Sequence, residues 1–99
     1  MSLELIEQFS ENLKDLGIKF SFGVVGSGSS LYLASALESR AIPYYPVAHE
    51  AAAVLMAGAC CRDGKPSAMA LGIKGPGFIN FLPGLLSNYY EMRPALTVS

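Results

Sequence analysis

Charge is scarce in this chain and nowhere gathered. Only 15% of its 99 residues are charged, and seven Lys and Arg against eight Asp and Glu leave a formal net charge of −1. Basic residues scattered singly form no patch for nucleic acid or an anionic membrane, so neither is expected as a partner. Long hydrophobic runs are missing as well. The longest apolar stretch, Ala51 to Cys61, is about half of the roughly 20 residues that a membrane-spanning helix needs. The opening Met1-Ser2-Leu3-Glu4 lacks the basic start and apolar centre of a secretory signal, which makes a cytoplasmic location the expectation. Cysteine is limited to Cys60 and Cys61, adjacent in an apolar run. That spacing fits neither a disulfide framework nor a zinc site, and the pair reads as core filling.

What the chain does have is apolar content. At 52% hydrophobic it supports one small globular domain over residues 1–99, with a modest core and no disordered character. Leu5, Ile6, Phe9, Leu13 and Leu16 recur at helical spacing, with Ser2 placed to cap the start and Gly17 the end. Phe20 to Val24 reads as a short buried strand, followed by a Gly26-Ser27-Gly28-Ser29-Ser30 turn and a helix from Leu31 to Ser39. A second strand-like stretch runs from Ile42 to Val47, a third helix from Glu50 to Arg62, and a third strand from Ser67 to Ile73. A fourth helix follows Gly77, and Ala95 to Ser99 forms a last strand. Strands alternating with helices predict an α/β/α layer fold with a mainly parallel sheet. In such sheets ligands bind beyond the carboxyl ends of the strands. The turn at Gly26, the His49-Glu50 pair and the Gly75-Pro76-Gly77 turn all fall there.

Glu50 stands out because it opens the run Ala51-Ala52-Ala53-Val54-Leu55-Met56-Ala57. An acidic residue in the first turn of a helix is favoured by the macrodipole, by about 0.3–1 kcal/mol at an exposed site, so it has a purely structural reading. The glycine turns have one too, as tight strand-to-helix connections. Gly26-Ser27-Gly28-Ser29-Ser30-Leu31 begins like a dinucleotide fingerprint but has leucine at the third glycine position. Gly72 to Gly77 has the glycine spacing of a P-loop, yet Phe78 and Ile79 replace its lysine and hydroxyl. Nucleotide hydrolysis is disfavoured on that ground.

Taken together, Phe22-Gly23-Val24-Val25-Gly26-Ser27-Gly28, His49-Glu50-Ala51-Ala52-Ala53, Gly75-Pro76-Gly77 with Asn80, and Pro94-Ala95-Leu96-Thr97-Val98-Ser99 carry a resemblance over nearly the whole chain. The sequence resembles the pyrimidine-binding, amino-terminal domain of thiamine diphosphate enzymes. Within them it is similar to the group of acetolactate synthase and 2-oxo acid decarboxylases, which includes the sulfopyruvate and phosphonopyruvate decarboxylases. The resemblance implies that Glu50 is the catalytic glutamate, sharing a proton with N1′ of the cofactor's aminopyrimidine. A carboxylate suits that role because withdrawal from water favours its protonated form, whereas glutamine would bond without relaying a proton. It also implies cofactor contacts from Val24, Gly26, Gly75, Pro76, Gly77 and Asn80. Candidate substrate contacts are His49, which reads equally as a helix cap, Lys74 and Ser27.

The chain departs from the family pattern in places. Ile73 and Lys74 stand where threonine and serine are usual, Val25 where proline is common, and Pro83 falls inside the helix after the glycine turn. Lys74 is either a solvated turn lysine or a partner for an anionic substrate group. Pro83 is expected to kink or split its helix. Tyr89, Tyr90 and Met92 are expected to pack against a neighbouring helix or chain. The implied magnesium ion would be held by a diphosphate-binding domain whose Gly-Asp-Gly motif this chain lacks, and no metal ligand is assigned within it. The expected partners are therefore a small 2-oxo acid, a diphosphate-binding domain or subunit, and a homo- or hetero-oligomeric assembly. The pyrimidine domain itself is expected to be cut short at its C-terminal end. The alternative is a non-catalytic paralogue or fragment with an assembly or regulatory role.

Overall fold

Short, almost wholly apolar strand segments such as Ala68-Met69-Ala70-Leu71 need cover on both faces, and the rest of the chain supplies helices for each. The computed structural model describes residues 3–24, 29–72 and 76–98. In order, these form α1 (Leu3–Asp15), β1 (Phe20–Gly23), α2 (Ser29–Glu38), β2 (Tyr44–Pro46), α3 (Glu50–Ala59), β3 (Ala68–Leu71), α4 (Pro76–Asn80), α5 (Leu82–Glu91) and β4 (Leu96–Val98). The strands make one sheet in the order β2-β1-β3-β4, with every pair parallel. The register sets Ser21 beside Tyr44 and Met69, and Gly23 beside Pro46 and Leu71.

Alternation along the strands divides the core in two. Met69 and Leu71 point into one layer with Ile6 and Leu13 of α1, Leu33 and Leu37 of α2, and Ile18 and Ile42. Phe22, Ala68 and Ala70 point the other way, onto Ala53, Val54 and Ala57 of α3 and onto Phe81. The result is the expected three-layer α/β/α arrangement. The chain steps outward from β1 to β2, then returns across β1 to β3, so its crossovers change face there. That reversal is the topological switch point, and in such sheets the ligand crevice lies there, outside the carboxyl ends of β1 and β3.

Local chemistry sets the element ends. Gly17, at φ 95°, closes α1, with Gly17 N bonding Lys14 O and Ile18 N bonding Leu13 O. Arg40 ties α1 to the end of α2 through ion pairs with Glu7 and Glu11. Hydrogen bonding to Glu7, ahead of its charge, raises the guanidinium pKa above its ordinary value. Helix α3 stops at Ala59, earlier than the apolar run suggests, because Cys60 N turns back to Ala57 O and Cys61 N to Gly58 O. Cys60 packs half-buried against the second core layer, while Cys61 is partly exposed, and both are free thiols. The Ser2 cap expected for α1 lies outside the described residues.

The helix after the glycine turn, expected to be kinked or split by Pro83, is two helices. Phe81 separates α4 from α5, and Pro83 sits in the first turn of α5, where its missing N–H costs nothing. Phe81 is fully buried in the second core layer and is held by Phe81 N to Phe78 O and Leu85 N to Phe81 O. Among the described residues no helix is long and apolar enough to cross a membrane. Phe81→Ala is expected to lower unfolding free energy by about 3–5 kcal/mol in chemical denaturation. A loss below about 1 kcal/mol would show that the α4–α5 corner is not anchored by this ring.

Candidate cofactor site

Helix α3 begins at the carboxyl edge of the sheet because β2 ends at Pro46, and Val47 N still bonds Gly23 O as the chain leaves the strand. Two residues later His49, in an extended conformation (φ −151°, ψ 144°), caps the helix: its Nδ1 accepts from Ala51 N at 3.0 Å. An accepting Nδ1 carries no proton, so a neutral ring holds its hydrogen on Nε2. Of the two readings of His49, the structure supplies the capping one.

Glu50 is the first residue of α3 and is only 8% exposed. A carboxylate withdrawn from water needs a donor. Asn80, the last residue of α4, provides it: Asn80 Nδ2 lies 3.4 Å from Glu50 Oε1. This contact joins positions 30 apart in the chain. It is also the one hydrogen bond of that carboxylate among the described residues, leaving Oε2 for another partner. Helix α4 makes the contact because it packs directly against α3.

The other candidate residues divide by position. Val24 is half-buried immediately beyond β1, and Pro76 and Gly77 form the first turn of α4. Gly26, Ser27, Lys74 and Gly75 lie outside the described residues. Tyr89 and Tyr90, expected to pack against a neighbour, are 76% and 80% exposed and meet only edge to face.

Tyr44 was not singled out by sequence reasoning. Its side chain lies on the face of Ser21 and Gly23 and leans along the strand, so that a Cβ added at Gly23 would stand 3.1 Å from the phenol oxygen. The same Cβ would be 2.5 Å from Leu71 O, so glycine lets β1 and β3 close together at the crevice. The Tyr44 hydroxyl is buried with no hydrogen-bond partner among the described residues. Desolvation pushes its pKa above the ordinary tyrosine value. The signal available in sequence was an aromatic residue registered beside a strand that ends in glycine, and periodicity does not reveal it.

A buried carboxylate and an amide thus meet at the carboxyl edge of a parallel α/β/α sheet, the edge at which such sheets bind their ligands. Residues 3–99 match the family described as "Thiamine pyrophosphate enzyme, N-terminal TPP binding domain". The chain belongs to this family, thiamine pyrophosphate being thiamine diphosphate under another name. It is 29% identical over 99 residues to a probable sulfoacetaldehyde acetyltransferase of Rhizobium meliloti (strain 1021), covering 100% of this chain and 17% of that protein. It is 27% identical over 97 residues to the indole-3-pyruvate decarboxylase of Azospirillum brasilense, 98% of this chain and 18% of that one. With the acetolactate synthase large subunit of Haemophilus influenzae (strain ATCC 51907 / DSM 11121 / KW20 / Rd) it shares 32% identity over 94 residues, 94% of this chain and 16% of the relative. The chain thus spans about a sixth of the length of these relatives.

Two outcomes follow from the geometry. His49→Ala should cost about 1 kcal/mol of stability, and His49→Asn or His49→Asp should recover most of it, since each restores a capping oxygen. Equal losses in all three variants would dismiss the cap. For Tyr44, a raised folded-state pKa means that stability is intact below the unfolded value of about 10 and falls as pH rises through the folded value. Tyr44→Phe should therefore flatten the alkaline loss of stability above about pH 10. An unchanged alkaline limb would contradict this.

Proposed function

We propose that this chain forms the aminopyrimidine-binding part of a thiamine diphosphate-dependent 2-oxo acid decarboxylase or carboligase. The cofactor would lie at the carboxyl edge of the sheet. One observation carries the reading: Glu50 is withdrawn from water with Oε1 held by the Asn80 amide and, among the described residues, Oε2 uncommitted. That arrangement fits an aromatic ring nitrogen, because a carboxyl group with one oxygen anchored presents the other for sharing a proton. When bound, thiamine diphosphate would supply the carbon nucleophile and electron sink for cleaving or forming a bond beside a 2-oxo group.

The protein's own part is to hold and move a proton at Glu50 while excluding water. Val24, Gly75, Pro76 and Gly77 are assigned as the backbone that approaches the cofactor, with Gly26 in the turn after β1. Asn80, taken from the sequence as a cofactor contact, is assigned instead to orienting Glu50. His49 Nε2, Lys74 and Ser27 are the proposed substrate-side groups. Support for a larger assembly comes from the relatives, which are about six times longer than this chain. Magnesium and the diphosphate would be held by that further part, as another domain or a subunit, in a homo- or hetero-oligomer. A cytoplasmic setting is consistent with this chemistry.

The test is Glu50→Gln in the assembled enzyme. Turnover of a 2-oxo acid should fall by at least about 100-fold, the loss expected of a group that transfers a proton in the rate-determining chemistry. The parent should also show a rise in melting temperature on adding thiamine diphosphate and magnesium. Unchanged turnover would reject the catalytic role of Glu50 and favour a non-catalytic assembly module.

A further inference from the structure

Helices α4 and α5 meet α3 along matching four-residue rows. Glu50, Val54 and Gly58 face Asn80, Gly84 and Asn88 in turn, each pair offset by the same interval in the chain. At the first pair Asn80 bonds Glu50. At the second, a Cβ on Gly84 would stand 2.8 Å from Ala51 O and 2.9 Å from Val54 Cβ, so the helices touch backbone to side chain. At the third, Asn88 Nδ2 donates to Val54 O at 2.9 Å, and a Cβ on Gly58 would fall inside the Asn88 carboxamide. Asn88 is only 8% exposed and stands about two helical turns further along the chain than Asn80.

Apolar helix faces slide past one another with little directional preference, whereas a buried amide has a fixed demand for its acceptor. Val54 O has a second lone pair to offer beyond its helical bond. Because α4 is tied to α5 through Phe81 N to Phe78 O and Leu85 N to Phe81 O, a slip of one turn, about 5.4 Å, would strip Asn88 of that acceptor and carry Asn80 out of reach of Glu50. We infer that Asn88 is a positioning residue for Glu50: it fixes the register of α5 on α3, and thereby delivers Asn80 to the carboxylate. The notch at Gly58 is the space this device requires. Its consequence for the cofactor rests on the function proposed above; the register itself does not.

The test compares Asn88→Leu, close in volume and apolar, with Asn80→Ala and the double variant, in the full-length protein or assembly carrying this chain. Asn88→Leu should keep or raise the denaturation midpoint while weakening thiamine diphosphate binding by about tenfold. The double variant should bind no worse than Asn80→Ala alone. A ligand-free reading uses selective nitrogen-15 labelling of asparagine. Glu50→Gln should shift the Asn80 side-chain amide signal in the parent and leave it in place in the Asn88→Leu background. If the Asn88→Leu substitution prevents folding, Asn88→Ala removes the amide without added bulk and is held to the same outcomes. Multiplying affinity losses, or an equal Asn80 shift in both backgrounds, would overturn the inference. A parent that shows the coupling without binding thiamine diphosphate would reject the proposed function and leave the register role standing.

Discussion

A carboxyl group held out of water at the open edge of a parallel sheet sets the terms for the surrounding structure. Burying a polar group without a partner costs about 1–3 kcal/mol, and a charged one more. The neighbourhood of Glu50 has to meet that cost while leaving part of the group available. It does so by division of labour. His49 satisfies an orphan helix N–H with its ring, so the Glu50 side chain is not needed as the cap. Asn80 takes one carboxylate oxygen. The helix macrodipole adds its favourable field at the same end. The Asn80 contact depends on α4 and α5 lying against α3, a packing that Gly84 makes close and Asn88 makes specific.

The sheet gives those helices their fixed reference. With β1 and β3 drawn together at Gly23 and Leu71, the crevice at the strand reversal lies beside the segment that leads into α3. The two core layers are unequal in character. Long aliphatic side chains fill the layer under α1 and α2, while the layer under α3 is built on alanines with Phe22 and Phe81. Small side chains bring α3 close to the sheet.

Much of the fold was legible because alternation and helical spacing are direct records of burial. The order of strands and helices, the layer arrangement and the interruption at Pro83 all follow from such signals. Boundaries moved where a hydrogen bond competes with a pattern: α3 ends at Ala59 because Cys60 turns back, although the apolar run continues. The pairing of Glu50 with Asn80 was not legible as a contact. Each residue was recognisable from its motif, but only the packing of α4 on α3 brings them within 3.4 Å. Tyr44 and Asn88 were missed for the same reason. Their importance lies in what stands opposite them across a strand or helix pair, and local sequence carries no trace of that.

The central claim is that Glu50 faces the aminopyrimidine of thiamine diphosphate. A crystal structure of the assembled protein with thiamine diphosphate and magnesium bound tests it most directly. The account predicts a Glu50 carboxyl oxygen within hydrogen-bonding distance of N1′, with Asn80 still on the other oxygen. A cofactor whose pyrimidine ring lies elsewhere, or a Glu50 side chain turned away from it, would contradict the claim.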